Sequence, residues 1–211
     1  PIVSQLSVDY IRTRDFAIRP LQWLRLISRN VCTIAFSPPF GFELCARRVR
    51  EADFAELDLS KWRVAGVGAE MIRPSILENF ASVLAPAGFN PKAFLPCYGL
   101  AEASLAVSFS PLGEDLDVMH IDALALAEKG VAVRVRSDNR KVNTIVNCGR
   151  ALPGHDIKIV DDQGNQQPEL RIGRVLMRGP SMMEGYLNNP EATKEVLSED
   201  GWLDTGDLGY S

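Results

Sequence analysis

This chain of 211 residues lacks several sequence signals, and each absence excludes or disfavours one class of protein. No uninterrupted apolar run reaches the roughly 20 residues that a membrane helix needs, so we predict no membrane span. The formal net charge is -4, and this lack of a basic surplus disfavours binding to nucleic acid or to an acidic membrane surface. No basic segment followed by an apolar one opens the chain, so we expect no secretory signal and a cytoplasmic location. Because Pro1 stands in place of a methionine, we expect the natural N-terminus to lie upstream.

Cysteine and histidine are also few, which removes several kinds of site. His120 and His155 have no nucleophile or metal-ligand partner at catalytic spacing, so we assign them no role. The cysteines lack the paired short spacings of a zinc site or a redox motif. We therefore expect reduced and mostly buried thiols at all four positions, which are Cys32, Cys45, Cys97 and Cys148.

The apolar content is sufficient for a folded core, since 46% of the residues are hydrophobic and 24% are charged. In the N-terminal part, helical and strand patterns alternate, and Pro74 stands where proline is favoured at a first helical turn. Strand, glycine turn, helix and strand in this order predict an α/β fold with a sheet flanked by helices. The predicted helices cover 20–29, 44–49 and 74–85, and the predicted strands cover 31–36, 61–67 and 93–96.

After Pro111 the pattern changes, and the C-terminal part is predicted to be rich in β-structure. We divide the chain into an α/β subdomain, residues 1–146, and a β-rich subdomain of the distorted-barrel type, residues 147–211. The predicted elements are a helix at 121–129, a strand at 131–136, a polar turn at 137–141, a hairpin of strands 156–160 and 174–178 around the turn 161–165, and a helix at 190–197 capped by Asn189.

The first chemical signal is the heptapeptide Pro96-Cys97-Tyr98-Gly99-Leu100-Ala101-Glu102. It follows a predicted strand, and α/β proteins form ligand crevices at the carboxyl ends of their strands. Tyr98 can stack on a flat ring, and Gly99 lets the backbone approach that ring. Glu102 can hold Mg²⁺ against phosphate groups, because magnesium is usually bound by one or two carboxylates plus substrate oxygens. Taken alone, a surface tyrosine and a helix-starting glutamate would be the better explanation.

The second signal, Gly201-Trp202-Leu203-Asp204-Thr205-Gly206-Asp207-Leu208, lies about a hundred residues later. Asp207 follows Thr205-Gly206 in a tight turn, where its carboxylate can accept hydrogen bonds from both hydroxyls of a ribose. Without these flanking residues, an aspartate in a solvated turn would be the favoured interpretation. The upstream segment 66–70 could form a second wall of a nucleotide slot, but an ordinary strand-to-helix turn explains it about as well.

Together these motifs resemble the nucleotide-binding signatures of the adenylate-forming superfamily, which contains acyl-CoA synthetases, peptide-synthetase adenylation domains and luciferases. Within it the chain is most similar to the fatty acyl-AMP ligases. Ala101 stands where most of the superfamily has threonine, and residues 117–143 resemble in place and length an extra segment of these ligases. Arg174 departs from the glutamate that is common in the family, and we expect it to alter a local ion pair. The resemblance runs along 66–74, 94–108, 149–160, 173–193 and 201–210.

The resemblance implies a set of site residues and cofactors. Tyr98 would stack on adenine, Asp207 would hold the ribose, and Glu102 would bind Mg²⁺. The cofactors implied are ATP and Mg²⁺, and the partners are a fatty acid and an acyl carrier protein, often within a polyketide or peptide synthase. The full nucleotide-binding set implied is Gly68, Ala69, Glu70, Tyr98, Gly99, Leu100, Ala101 and Asp207.

For a complete enzyme, the implied reaction is attack of a fatty carboxylate on the α-phosphate of ATP, with release of pyrophosphate. The segment 117–143 is expected to disfavour transfer to coenzyme A. An acyl-CoA synthetase is the alternative, and a non-catalytic nucleotide-binding or scaffold module is the alternative from another class.

Two parts of such an enzyme are missing from this sequence, a phosphate loop followed by lysine and the family's mobile C-terminal domain with its lysine. We therefore assign no catalytic residue and expect the 211 residues alone to be inactive. Gly41 and Phe42 could line an acyl tunnel, although a phenylalanine beside a glycine is more often ordinary core.

Overall fold

The computed structural model describes residues 3–136 and 141–211, which pack into two units. The first unit runs to Leu95 and includes Pro111–Leu116, and the second consists of Pro96–Ser110 and Asp117–Ser211. These units do not follow the expected boundary between residues 146 and 147, and that boundary remains a prediction. Pro1 and most of the predicted polar turn, residues 137–140, lie outside the described residues.

The first unit has the predicted alternation of helices and strands. Its strands β1 and β2 pair in parallel, with Ile34 opposite Val64 and Ser37 opposite Val67. Pro39 and Pro74 each occupy the first turn of a helix, where the missing N–H costs nothing. The predicted helix at 44–49 therefore begins earlier, at Pro39. The elements are α1 (Thr13–Ile18), α2 (Leu21–Arg29), β1 (Ile34–Ser37), α3 (Pro39–Arg48), β2 (Val64–Val67), α4 (Pro74–Leu84) and the start of β3 (Phe94–Tyr98).

An aromatic core holds this unit together. Phe42 is completely buried, with its ring centroid 5.3 Å from Trp23, 5.1 Å from Phe80 and 5.7 Å from Phe94. Most of these ring pairs meet edge to face, the geometry that aromatic quadrupoles favour. Phe42 is therefore a core residue, and the suggestion that it lines an acyl tunnel remains a prediction.

The second unit is built mainly from short antiparallel strands. A three-stranded sheet has the order β10-β9-β8, β5 pairs with β6, and β4 lies between the end of β3 and β7. The described strands of this unit do not form a closed barrel. The elements are β4 (Ser108–Phe109), β5 (Val118–Asp122), α5 (Ala123–Lys129), β6 (Val142–Val146), β7 (Arg150–Ala151), β8 (Asp156–Val160), β9 (Gly173–Arg178), α6 (Pro190–Val196) and β10 (Leu203–Gly209).

The local predictions for this unit are largely confirmed. Strands β8 and β9 pair antiparallel from Asp156 opposite Arg178 to Val160 opposite Arg174. Asn189 caps α6, because its side-chain oxygen accepts a hydrogen bond of 3.1 Å from the amide of Ala192.

The strand predicted over residues 131–136 does not form. The backbone there is bonded to two different segments, since the amide of Ala132 donates to Leu170 and the amide of Val135 donates to His120. Only isolated bridges result, because no single neighbouring strand runs alongside. The alternation of apolar and polar residues therefore indicates a half-buried segment correctly, but the prediction of a strand is wrong.

Two expectations about the whole chain can also be assessed. None of the cysteines, all of which lie in the described residues, forms a disulfide, but only Cys45 is buried and the other three are half-buried. The expectation of mostly buried thiols is thus wrong. Among residues 3–136 and 141–211, no helix is long and apolar enough to cross a membrane.

Candidate nucleotide and metal site

The structure brings Tyr98 and Asp207 into direct contact, although they are 109 residues apart in the sequence. Tyr98 is the last residue of β3, and Asp207 lies in β10, both within the second unit. The Tyr98 hydroxyl donates a hydrogen bond of 2.7 Å to Oδ2 of Asp207. The two sequence motifs therefore meet at one place.

A bulge in β10 presents Asp207 to solvent. The pairing of β10 with β9 shifts register between Asp204 and Leu208, so the residues between them leave the regular ladder. The Thr205 hydroxyl donates to the carbonyl of Val175 at 2.9 Å, and the Asp207 amide donates to Thr205 Oγ1 at 3.1 Å. These bonds fix the bulge while the Asp207 residue stays exposed.

The environment of Tyr98 keeps its phenol protonated. Burial is the largest cause that raises the pKa of Tyr98. A hydrogen bond with the Thr205 side chain opposes this, whereas the hydrogen bond to Asp207 and its negative charge raise the pKa further. Tyr98 is therefore a neutral donor near neutral pH, and its half-buried ring is held by the contact of its hydroxyl with Asp207.

Gly99 is required by the protein's own backbone. A Cβ atom at this position would lie 1.5 Å from the carbonyl oxygen of Leu105, which no side chain can tolerate. The sequence suggested that a ligand approaches Gly99, but in the structure the close neighbour is the chain itself. The turn is closed by hydrogen bonds from the amides of Ala103 and Leu105 to the carbonyl of Leu100, and it places Ala101 and Glu102 in a short 3₁₀ helix, Ala101–Ala103.

Glu102 is held by a segment that the sequence did not point to. The Tyr186 hydroxyl donates a hydrogen bond of 2.8 Å to Glu102 Oε1, and the Met183 amide donates to the Glu102 carbonyl at 2.7 Å. The hydrogen bond to Glu102 is the main cause that raises the pKa of Tyr186. Tyr186 is separated from Glu102 by 84 residues, so no local pattern in the sequence reveals this contact.

His155 also joins this region, although it had been assigned no role. Its Nε2 atom lies 2.7 Å from the Ser181 hydroxyl, and that hydroxyl donates to the carbonyl of Ala103 at 2.9 Å. The histidine thus supports the turn that carries Glu102 through the Ser181 hydroxyl, a hydrogen-bond partner that the sequence spacing did not reveal. The Nδ1 atom of His120 is buried with no hydrogen-bond partner within the described part of the chain.

The environment of Glu102 fits a magnesium ion that is shared with substrate. Within residues 3–136 and 141–211, no cluster of three or more histidine, cysteine, aspartate or glutamate side chains could hold a metal by itself. Mg²⁺ typically uses one or two carboxylates plus phosphates and water, so a single carboxylate is enough. A carboxylate offers about four lone-pair sites, so Glu102 can accept from Tyr186 and still bind a cation.

The other predicted residues lie in the first unit, directly after β2. Gly68 is buried, whereas Ala69 and Glu70 are exposed, and Ala69 adopts the left-handed backbone conformation with φ of 67°. Glu70 Oε1 accepts a hydrogen bond of 2.9 Å from the Phe40 amide in the first turn of α3. This contact gives Glu70 a structural role at a helix start. The nucleotide-binding roles of Gly68, Ala69 and Glu70 remain predictions.

A tyrosine at a strand end, a carboxylate four residues on and an aspartate on a bulged strand, on an α/β fold, are features typical of a nucleotide-binding class of protein. The AMP-binding enzyme family matches residues 6–187, and the chain belongs to that family.

Individual relatives agree with this class. The chain is 46% identical over 210 residues to a Caulobacter vibrioides protein provisionally assigned as an acyl-CoA synthetase. It is 38% identical over 220 residues to the medium-chain-fatty-acid–[acyl-carrier-protein] ligase JamA of Moorena producens. Each alignment covers 100% of this chain and 37% of the relative, so the chain spans little more than a third of the length of these proteins.

A solved structure shows the same fold. A chain from a study of fatty acyl-adenylate ligases from E. coli and L. pneumophila superposes with a TM-score of 0.93 and 51% identity. The match covers 98% of this chain and 37% of that one. The α/β architecture of the adenylate-forming domain is therefore confirmed.

Proposed function

We propose that the full-length protein containing this chain activates a fatty acid with ATP and transfers the acyl group to an acyl carrier protein, in the cytoplasm. The observation that carries the proposal is the contact between Tyr98 and Asp207, beside the turn that holds Glu102. The kinship with a fatty-acid–carrier-protein ligase and with fatty acyl-adenylate ligases supports the choice of substrate class.

The three candidate site residues of the second unit each have a defined role in this proposal. The ring of Tyr98 stacks on adenine, while its hydroxyl holds Asp207 so that the remaining lone pairs accept from the ribose hydroxyls. Glu102, oriented by Tyr186, is the protein ligand of Mg²⁺. When bound, Mg²⁺ neutralises negative charge on the phosphates. No group that attacks or protonates the substrate is assigned in this chain, and we expect the 211 residues alone to form no acyl-adenylate at a useful rate.

Mass spectrometry of reaction products tests the proposal. The full-length protein is given ATP, Mg²⁺ and a series of fatty acids, with either free coenzyme A or a phosphopantetheinylated carrier protein. We expect acyl-adenylate to accumulate with coenzyme A and to be consumed only by the carrier protein. Asp207→Ala should lower acyl-adenylate formation, while Asp162→Ala, an exposed aspartate in the β8–β9 turn, should not. Equal loss in both variants, or no adenylate at all, contradicts the proposal.

An acyl-CoA synthetase is the second candidate, and the assignment of the Caulobacter vibrioides relative favours it. The same experiment decides between the two, because acyl-CoA as the main product identifies the synthetase. A non-catalytic module is the candidate from another class. Calorimetry with an acyl-adenylate analogue addresses it: binding that Tyr98→Ala weakens supports a nucleotide site, and no binding by either protein leaves only a scaffold.

A further inference from the structure

Arg174 connects the two ends of the bulge that carries Asp207. Its backbone on β9 is the register partner of Leu208, the first regular residue after the bulge. Its guanidinium forms an ion pair with Oδ2 of Asp204, the last regular residue before the bulge. Since Asp204 itself is opposite Leu176, three residues of β10 stand against one of β9. One arginine thus spans the whole irregularity.

The carboxylate of Asp204 connects the Arg174 ion pair to the backbone of the bulge. While Oδ2 is bound by Arg174, Oδ1 accepts a hydrogen bond of 3.1 Å from the amide of Gly206. Gly206 has a φ of 75°, in the left-handed region, and it directly precedes Asp207. The chain of contacts therefore runs from the guanidinium, through Asp204, to the residue next to the ribose-binding carboxylate.

The charges at these positions are complementary. The family resemblance predicts a glutamate at position 174, and a glutamate there would place a second negative charge against Asp204. The Arg174 and Asp204 side chains are 38% and 24% exposed, so the ion pair is only partly screened by solvent. Arginine suits such a site because its planar guanidinium fits a carboxylate.

We propose that Arg174 is a positioning residue that, through Asp204, sets the conformation of the bulge at residues 205–207 and thereby the recognition of the ribose hydroxyls of the nucleotide. This inference rests on the proposed role of Asp207. A residue that only stabilised the fold would affect the binding of the whole nucleotide. Loss of Arg174 should instead weaken the interactions with the ribose hydroxyls and leave those with the rest of the nucleotide unchanged.

Calorimetry on the full-length protein tests this with two ligands, a non-hydrolysable acyl-adenylate analogue and its 2′,3′-dideoxyribose counterpart. The quantity of interest is the affinity for the analogue that carries the ribose hydroxyls divided by the affinity for the dideoxyribose analogue. Asp207→Ala should bring the ratio close to one. Arg174→Glu should lower the ratio roughly fivefold, the equivalent of one partly exposed ion pair. Arg174→Lys should retain most of the ratio, because the ammonium can still pair with Asp204 while Asp204 Oδ1 accepts from the Gly206 amide.

Arg178→Glu is the matched control, because Arg178 lies on the same strand and pairs with Asp156 across β8, away from the bulge. If Arg174→Glu unfolds the protein, Arg174→Gln removes the charge without adding repulsion. The inference is overturned if Arg174→Glu or Arg174→Gln changes the ratio no more than Arg178→Glu does, or weakens both ligands equally. If Asp207→Ala leaves the ratio unchanged, the ribose assignment itself is wrong and the inference falls with it.

Discussion

Two tyrosine hydroxyls hold the two carboxylates of the candidate site. Tyr98 donates to Asp207, and Tyr186 donates to Glu102. A hydrogen bond to a charged carboxylate is stronger than one between neutral groups, and it restricts the rotamers that the carboxylate samples. Each carboxylate is therefore oriented before any ligand arrives, which lowers the cost of binding.

At the residue scale, we predict that Tyr186→Phe weakens magnesium binding, and so raises the magnesium requirement, without abolishing nucleotide binding. Removing the hydroxyl frees the Glu102 side chain, so the Mg²⁺ concentration for half-maximal adenylate formation should rise about threefold, in proportion to the loss of one hydrogen bond. Titrating Mg²⁺ at saturating ATP measures the effect. Nucleotide affinity measured by calorimetry without metal should stay the same.

Tyr210→Phe is the control for this variant, because the Tyr210 hydroxyl contacts Met119 and not a site carboxylate. An unchanged magnesium requirement in Tyr186→Phe, or the same change in both variants, would show that Tyr186 does not orient Glu102.

At the scale of elements, the segment 117–143 is an excursion from a regular hairpin. Strands β5 and β6 pair from Val118 opposite Val146 to Asp122 opposite Val142. Helix α5 follows β5 directly, and its first turn is capped by Asp122. The backbone amides of Ala132 and Ile172 are bonded to the carbonyls of Leu170 and Gly130, which ties the excursion to the segment before β9. The segment therefore has a structure of its own within the described residues.

This geometry allows a sharp test of the hypothesis that the segment disfavours coenzyme A. In the full-length protein, residues 124–140 are replaced by Asn-Gly, a dipeptide that closes two-residue hairpins on a hydrogen-bonded pair such as Ala123 and Lys141, so that β5 and β6 stay paired. We expect the yield of acyl-CoA relative to acyl-carrier protein to increase. Products are quantified by mass spectrometry.

The melting temperature of the shortened protein must be measured alongside, because the excursion buries Ala132. A folded variant with an unchanged product ratio would remove the segment from consideration as a selectivity element. The native protein assayed in parallel supplies the reference ratio.

At the scale of the whole molecule, each unit carries its own thiol reporter. Cys45 lies in the first unit, where burial raises its pKa to about 12, and Cys148 lies in the second, where burial is the main cause that raises its pKa to about 11. The thiolate is the reactive form, so both thiols should be protected in the folded protein. Because a raised pKa favours the protonated thiol in the folded state, the stability from Cys45 is complete below pH 9.0 and is lost as the pH rises through about 12.

We predict that alkylation of Cys45 at pH 8 is at least about a hundredfold slower in the native protein than in denaturant, since only a minute fraction is thiolate. Peptide mass spectrometry after timed alkylation measures both thiols in one sample. Repeating it along a urea gradient gives one unfolding curve for each unit. Rapid native alkylation of Cys45 would contradict its complete burial in the first unit.

Much of the local structure could be predicted from the sequence, whereas the roles of the site residues stay predictions. Proline at a first turn marked α3 and α4, and an asparagine cap marked α6, because these signals act over three or four residues. The motifs pointed to Tyr98, Glu102 and Asp207, since a strand-end turn and a tight turn are local features. The α/β order followed from the alternation of helical and strand periods.

Only the tertiary structure decided how these residues are held. The partners of Tyr98, Glu102 and Arg174 are 109, 84 and 30 residues away, and the strand register that creates the bulge depends on all of β9 and β10. For the same reason the alternating segment 131–136 failed to become a strand, because a strand needs a neighbour along its whole length. Periodicity and turn signals are set by neighbouring residues, so the sequence determined the elements and the chemistry at their ends. Pairing and side-chain contact are set by distant segments, so the orientation of both carboxylates could be found only in the folded chain.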